Sequence, residues 1–184
     1  FIAGTLFLNS SDEDIFVAKV KLDGSWEYGF RYASQDKLKE GAFKIIDMSS
    51  RTEQALLVVG YTELKEGNKN VLALKLNPSD LSIIAQNTYF YADEESSQEI
   101  GYDAVKTGIH TMTDHFAIVG EQYSDIKDKN IIVLNITSDL TLLSGKIVLA
   151  TKRSDIGYGI TATNGSLYIT GSTSYDSGPK HLLV

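Results

Sequence analysis

Residues 55–76 read ALLVVGYTELKEGNKNVLALKL. Two apolar runs, 55–61 and 70–76, flank a polar stretch. Short runs rich in Val, Leu and Ile, bounded by Asn, Asp, Gly and Ser, signal β-strands. The same order recurs on either side. Two or three apolar residues and then a glycine end at Gly4 (FIAG), Gly60 (VVG), Gly120 (IVG) and Gly171 (YITG), at spacings of 56, 60 and 51 residues. Each is followed by a polar loop and an apolar run opened by a polar residue: 14–22, 70–76, 130–136 and 180–184. A further strand then follows at 26–32, 81–90 and 140–149. Another precedes each later motif, at 42–48, 103–109 and 159–163. The best helix candidate, 34–44, contains Gly41 and lacks a sustained 3.6-residue apolar period.

The expected fold is therefore all-β with an internal repeat. Four short antiparallel strands per repeat at this period indicate a propeller blade. With the strands lettered a to d outward from the axis, the chain reads bcd, abcd, abcd, abc. This predicts a single partial β-propeller of about three and a half four-stranded antiparallel blades. The blade segments are 1–41, 42–102, 103–158 and 159–184. Because an isolated blade must pack face to face on neighbours, the chain is expected to be a window of a longer one. A β-sandwich is the alternative.

Composition narrows the function classes. The net charge is −7, with 24 acids against 17 bases, which argues against a nucleic-acid partner. No apolar run reaches about 18 residues, so no transmembrane segment is expected. Nor is a signal peptide, since Phe1 opens inside an apolar stretch without a basic flank. The absence of cysteine removes disulfides, thiolate nucleophiles and Cys-ligated metals.

Two stretches resemble the β-propeller repeats abbreviated SBBP, which occur widely in bacterial secreted and surface proteins. DIFVAKVKLDGSWEY at 14–28 is similar to that family's strand c, Asp-Gly turn and aromatic strand d. DIGYGITATNGSLYITGST at 155–173 is similar to its strand a, Asn-Gly turn and strand b. The middle repeats depart from the pattern, Pro78 standing in a turn where the family usually has Asp-Gly. The resemblance implies the propeller fold and a secreted or cell-surface location. It implies no particular activity.

The glycines of strand b read as places where neighbouring sheets crowd the backbone. The acid–glycine pairs Glu40–Gly41, Glu99–Gly101 and Asp155–Gly157 read as junctions at which glycine turns the chain from strand d to strand a and the acid caps backbone N–H groups. Tyr102 and Tyr158 follow the last two. The b–c and d–a loops are the long ones, and in a propeller they share one face. Acids gather there: Asp12, Glu13 and Asp14; Asp93, Glu94, Glu95 and Glu99; Asp125 and Asp128; and Asp155. These ten are the candidate ligand or partner face. Residues 125–130, DIKDKN, resemble a calcium loop but lack the central Gly and closing Glu. His110, His115 and His181 have no recognised zinc spacing. Asn9, Asn135 and Asn164 open Asn-x-Ser/Thr sequons, relevant if the chain is a secreted eukaryotic one. Asn164-Gly165 reads first as a type I′ hairpin turn.

No nucleophile elbow, phosphate loop or metal-ligand spacing is present, so no catalytic residue, metal ligand or cofactor is assigned. The expected function is a non-catalytic binding or structural module of a larger secreted or surface protein. It contacts a protein or glycan through its long-loop face and continues into further blades or a larger assembly. Two alternatives are a propeller enzyme acting on carbohydrate through paired carboxylates, and a calcium-stabilised assembly module.

Overall fold

The computed structural model describes residues 1–9, 12–33, 38–65, 67–90, 97–108, 114–123, 129–149, 154–174 and 181–183. They form strands and no helix, hence none long and apolar enough to cross a membrane. The first sheet holds β1 (Ile2–Asn9), β2 (Asp12–Val20) and β3 (Trp26–Tyr32). The second holds β4 (Glu40–Asp47), β5 (Leu56–Lys65), β6 (Asn68–Leu76) and β7 (Ile83–Tyr89). The third holds β8 (Gln98–Lys106), β9 (His115–Tyr123), β10 (Lys129–Thr137) and β11 (Leu142–Leu149). The fourth holds β12 (Asp155–Thr163), β13 (Ser166–Thr173) and β14 (His181–Leu183). Within each sheet the strands lie side by side in chain order, and every pair is antiparallel.

The sheets pack in series, which explains the apolar runs. A strand buried on one face alternates; a strand buried on both reads as a continuous run. On β5, Leu57 and Val59 face the third sheet, where they meet Phe116, Ile118 and Ile132. Leu56 and Val58 face the first sheet and meet Ile15 and Val17. On β9, Ala117 and Val119 face the fourth sheet and Ile160. Each large apolar side chain so buried contributes about 1.5–3 kcal/mol.

The edge strands β4, β8 and β12 begin earlier than the sequence pattern suggests. Their pairing already includes Glu40 with Thr62, Glu99 with Gln122 and Asp155 with Thr173. A β-bulge follows in each. Ala42 pairs with Gly60 but Lys44 with Val59; Gly101 pairs with Gly120 but Asp103 with Val119; Gly157 pairs with Gly171 but Gly159 with Thr170. The extra residues are Phe43, Tyr102 and Tyr158. An extra residue breaks the period of two, so alternation alone starts these strands too late.

The bulge also corrects the reading of both glycine sets. The strand-b glycines are crowded from within their own sheet. A Cβ on Gly60, Gly120 or Gly171 would overlap the carbonyl oxygen of Gly41, Ile100 or Ile156 on the adjacent edge strand. Gly41, Gly101 and Gly157 lie inside strands, not turns, and none has a positive φ. Gly101 and Gly157 are the ones that admit a neighbouring sheet. A Cβ there would come within 2.7 Å of Val59 and 2.6 Å of Val119.

The turn between the third and fourth strand of a repeat is built the same way three times. In Asp23-Gly24-Ser25, Asp80-Leu81-Ser82 and Asp139-Leu140-Thr141, the carboxylate accepts the backbone N–H two residues on. The middle residue is left-handed, at φ 82, 60 and 65. Leu81 and Leu140 thus stand where the first repeat has Gly24, and both are buried. The outer strand of the preceding sheet holds these turns. Tyr28 donates to the carbonyl of Ser79 at 2.7 Å, and Tyr89 to that of Leu140 at 2.7 Å.

Candidate functional site

The three bulges place one aromatic ring each along the edge strands. Phe43 and Tyr102 have ring centroids 5.0 Å apart, and Tyr102 and Tyr158 5.5 Å apart. Tyr61 of β5 extends the row to Phe43 at 6.1 Å. Successive rings are inclined by 35°, 60° and 55°, the tilted geometry that the aromatic quadrupole favours. Phe43 is 47% and Tyr158 49% exposed, so two rings of the row meet solvent. The row lies three residues into each edge strand from Glu40, Glu99 and Asp155, near the end where the longer loops join.

Carboxylates hold the row from below. Tyr61 donates its hydroxyl to Glu13 at 2.5 Å. Burial, then this bond, pushes the Tyr61 hydroxyl far above its ordinary range. Burial, then the charge and hydrogen bond of Glu121, does the same for Tyr102. Both phenols therefore remain donors. Burial works against the charge on Glu13, but Tyr61, Lys39 and Lys69 outweigh it and hold its carboxyl below the usual range. Lys39 lies 3.3 Å from Glu13, and Lys69 sits 3.9 Å over the Tyr61 ring. In the third sheet Lys129 reaches Glu121 at 2.9 Å.

One residue along from the row, Asp103 joins three sheets. Its carboxylate meets Lys44 of β4 at 2.7 Å and accepts the backbone N–H of Ile160 on β12 at 2.9 Å.

No family model matches this chain, and no curated protein does.

The acids singled out from sequence divide among several places. Asp12 opens β2, half-buried, opposite Asn9. Glu13 lies beneath the aromatic row. Asp14 is buried and ion-paired with Arg31. Glu99 and Asp155 are buried at the start of β8 and β12. Asp93, Glu94, Glu95, Asp125 and Asp128 lie outside the described residues, and so does His110. His115 opens β9, and His181 opens β14. Among the described residues no group of three His, Cys, Asp or Glu is placed to hold a metal ion.

The sequons also separate. Asn9 ends β1. Asn135 lies within β10 and donates to Ser144 at 2.9 Å. Asn164 is exposed at φ 50, followed by Gly165 at φ 76, as a type I′ turn requires. A cleft of about 230 Å³ between the third and fourth sheets is lined by both Asn135 and Asn164.

Sequence reasoning found Tyr102 and Tyr158 but missed Phe43, Tyr61, Asp103 and Glu121. A signal for the row was present. An acid stands three residues before an aromatic in EGAF (40–43), EIGY (99–102) and DIGY (155–158). Ala42 in place of glycine concealed the first instance.

Proposed function

We propose that the four sheets are consecutive blades of a β-propeller of the SBBP-like type. In this reading the chain is a non-catalytic binding module of a secreted or surface protein, and its partner is a glycan. The observation that carries the reading is the row Phe43–Tyr102–Tyr158. One bulge per repeat delivers one ring, and the rings form a continuous surface with two faces open to solvent. In a propeller the edge strands line the axis, so the row lies on the channel wall near the long-loop face. Sugar rings stack their C–H faces on such aromatics while their hydroxyls bond to polar groups around them. The serial packing of four meandering sheets supports the blade reading. The commitment of Glu13, Glu121 and Asp103 to lysine, tyrosine or backbone partners supports a binding role over proton transfer.

A glycan array probed with the labelled chain tests this, followed by titration of any hit. The expected result is saturable binding that Phe43→Ala and Tyr158→Ala each weaken by about tenfold, or about 1.4 kcal/mol. Binding that survives both substitutions in folded protein would move the site off the row. An array without hits would overturn the glycan assignment.

A further inference from the structure

Gly4 occupies the place in β1 that Gly60, Gly120 and Gly171 occupy in β5, β9 and β13. Those three are each met by the carbonyl of a bulged edge strand, whereas a Cβ on Gly4 would find nothing within 4 Å. β1 pairs with β2 on one side only, and its other edge carries no strand among the described residues. Ile2 is 55% exposed, while its counterparts Val58 and Ile118 are 1% exposed. Glycine inside a strand weakens it and is retained where another backbone comes close. Three of the four strand-b glycines have that backbone in view. The fourth has the shape for it.

We infer that the free edge of β1 docks an extended peptide strand of the type acid-x-small-aromatic, the type of β4, β8 and β12. The register follows from the three complete sheets. The acid lies opposite Leu6, as Glu40, Glu99 and Asp155 lie opposite Thr62, Gln122 and Thr173. The small residue lies opposite Gly4, as Ala42, Gly101 and Gly157 lie opposite their glycines. The aromatic is the bulged extra residue. An apolar residue then faces Ile2, as Ile45, Ala104 and Ile160 face Val58, Ile118 and Ile169. Main-chain hydrogen bonds supply the affinity, and the bulge over Gly4 supplies the selectivity. The inference rests on the equivalence of the sheets as blades, and neither on ring closure nor on glycan binding.

The test uses the whole 184-residue chain and a fluorescein-labelled peptide of sequence QEIGYDAVK, residues 98–106. Fluorescence anisotropy is expected to show saturable binding. Gly4→Val is expected to weaken it by about tenfold or more, a loss of about 1.4 kcal/mol. Its far-ultraviolet circular dichroism and melting temperature should stay unchanged, because the added side chain meets nothing in the chain itself. Gly4→Ala serves if the valine variant fails to fold, since a Cβ alone overlaps the carbonyl in the equivalent sheets. The peptide without Tyr102 cannot bulge and is expected to bind equally poorly. Three results would overturn the inference: no saturable binding, equal binding by the folded Gly4 variant, or a dimer in light scattering that Gly4→Val converts to monomer. The last would assign the edge to a second copy. Glycan binding is expected to survive Gly4→Val, so loss of the two readings can be told apart.

Discussion

The carbonyl oxygen of Ile100 occupies the space that a Cβ on Gly120 would need, and the two residues lie on adjacent strands of one sheet. Gly60 with Gly41, and Gly171 with Ile156, repeat this relationship. Each bulge therefore depends on a glycine across the ladder, and each aromatic of the row depends on its bulge. Gly120→Ala forces backbone rather than a flexible side chain to move. It is expected to cost about 3 kcal/mol or more in urea unfolding. Gly4→Ala, with open space around it, should stay within about 0.5 kcal/mol of the parent. Equal losses at the two positions would remove the bulge from the explanation.

Leu140 sets two effects against each other. Its left-handed backbone at φ 65 costs about 1–2 kcal/mol for a side-chain-bearing residue. Its burial among Phe116, Ile136 and neighbours returns more, since removing a buried leucine side chain costs about 2–5 kcal/mol. Leu140→Gly should therefore destabilise by about 1–3 kcal/mol, and Leu140→Ala by about 1 kcal/mol more than that, because alanine keeps the strain. If glycine proved neutral or stabilising, packing of the leucine would not be what holds the turn.

Asp103 separates charge from hydrogen bonding. Asp103→Asn keeps an acceptor for the Ile160 N–H and loses the partly exposed ion pair to Lys44. The expected loss is below about 1 kcal/mol. Asp103→Ala strands that N–H between two sheets and is expected to cost about 1.5–3 kcal/mol. A chemical-denaturation series on both variants decides this; a larger loss in the asparagine variant would place the weight on the ion pair.

Glu13 gives a pH dependence of definite sign. Its folded carboxyl lies below the ordinary value of 4.5. Its contribution is thus complete above about pH 4.5 and is lost as pH falls through the lowered value. The melting temperature of the parent should exceed that of Glu13→Gln at neutral pH, and the gap should narrow on acidification below pH 4.5. Asp23, Asp80 and Asp139, lowered by hydrogen bonds from Ser25, Ser82 and Thr137 respectively, act in the same sense in both proteins and cancel from the comparison. A gap independent of pH would show that the Tyr61 hydrogen bond, which glutamine can also accept, is what matters.

Much of the strand order was legible. Residues 26–32 read as a strand whose two ends match β3, and Asn164-Gly165 read as the tight turn it forms. Both signals are local: alternation shows a pleated surface, and Asn-Gly tolerates two positive φ values. The start of the edge strands was not legible, because a bulge exists only relative to a partner strand. Phe43 was hidden for the same reason. Its place in the row depends on Gly60 lying opposite Ala42, 18 residues on.

By itself, the sequence determined an all-β chain of short strands repeated four times, each repeat marked by an apolar run closing on glycine. These features are written in composition and period, which local backbone chemistry reads directly. The tertiary structure decided what each glycine is for and which acids reach tyrosine or lysine. It also decided that leucine, an unfavourable left-handed residue, replaces Gly24 in two of the three turns. Those outcomes depend on what the neighbouring strand or sheet presents. The burial that offsets the strain at Leu81 and Leu140, and the carbonyl that requires Gly60 and Gly120, come from residues distant along the chain.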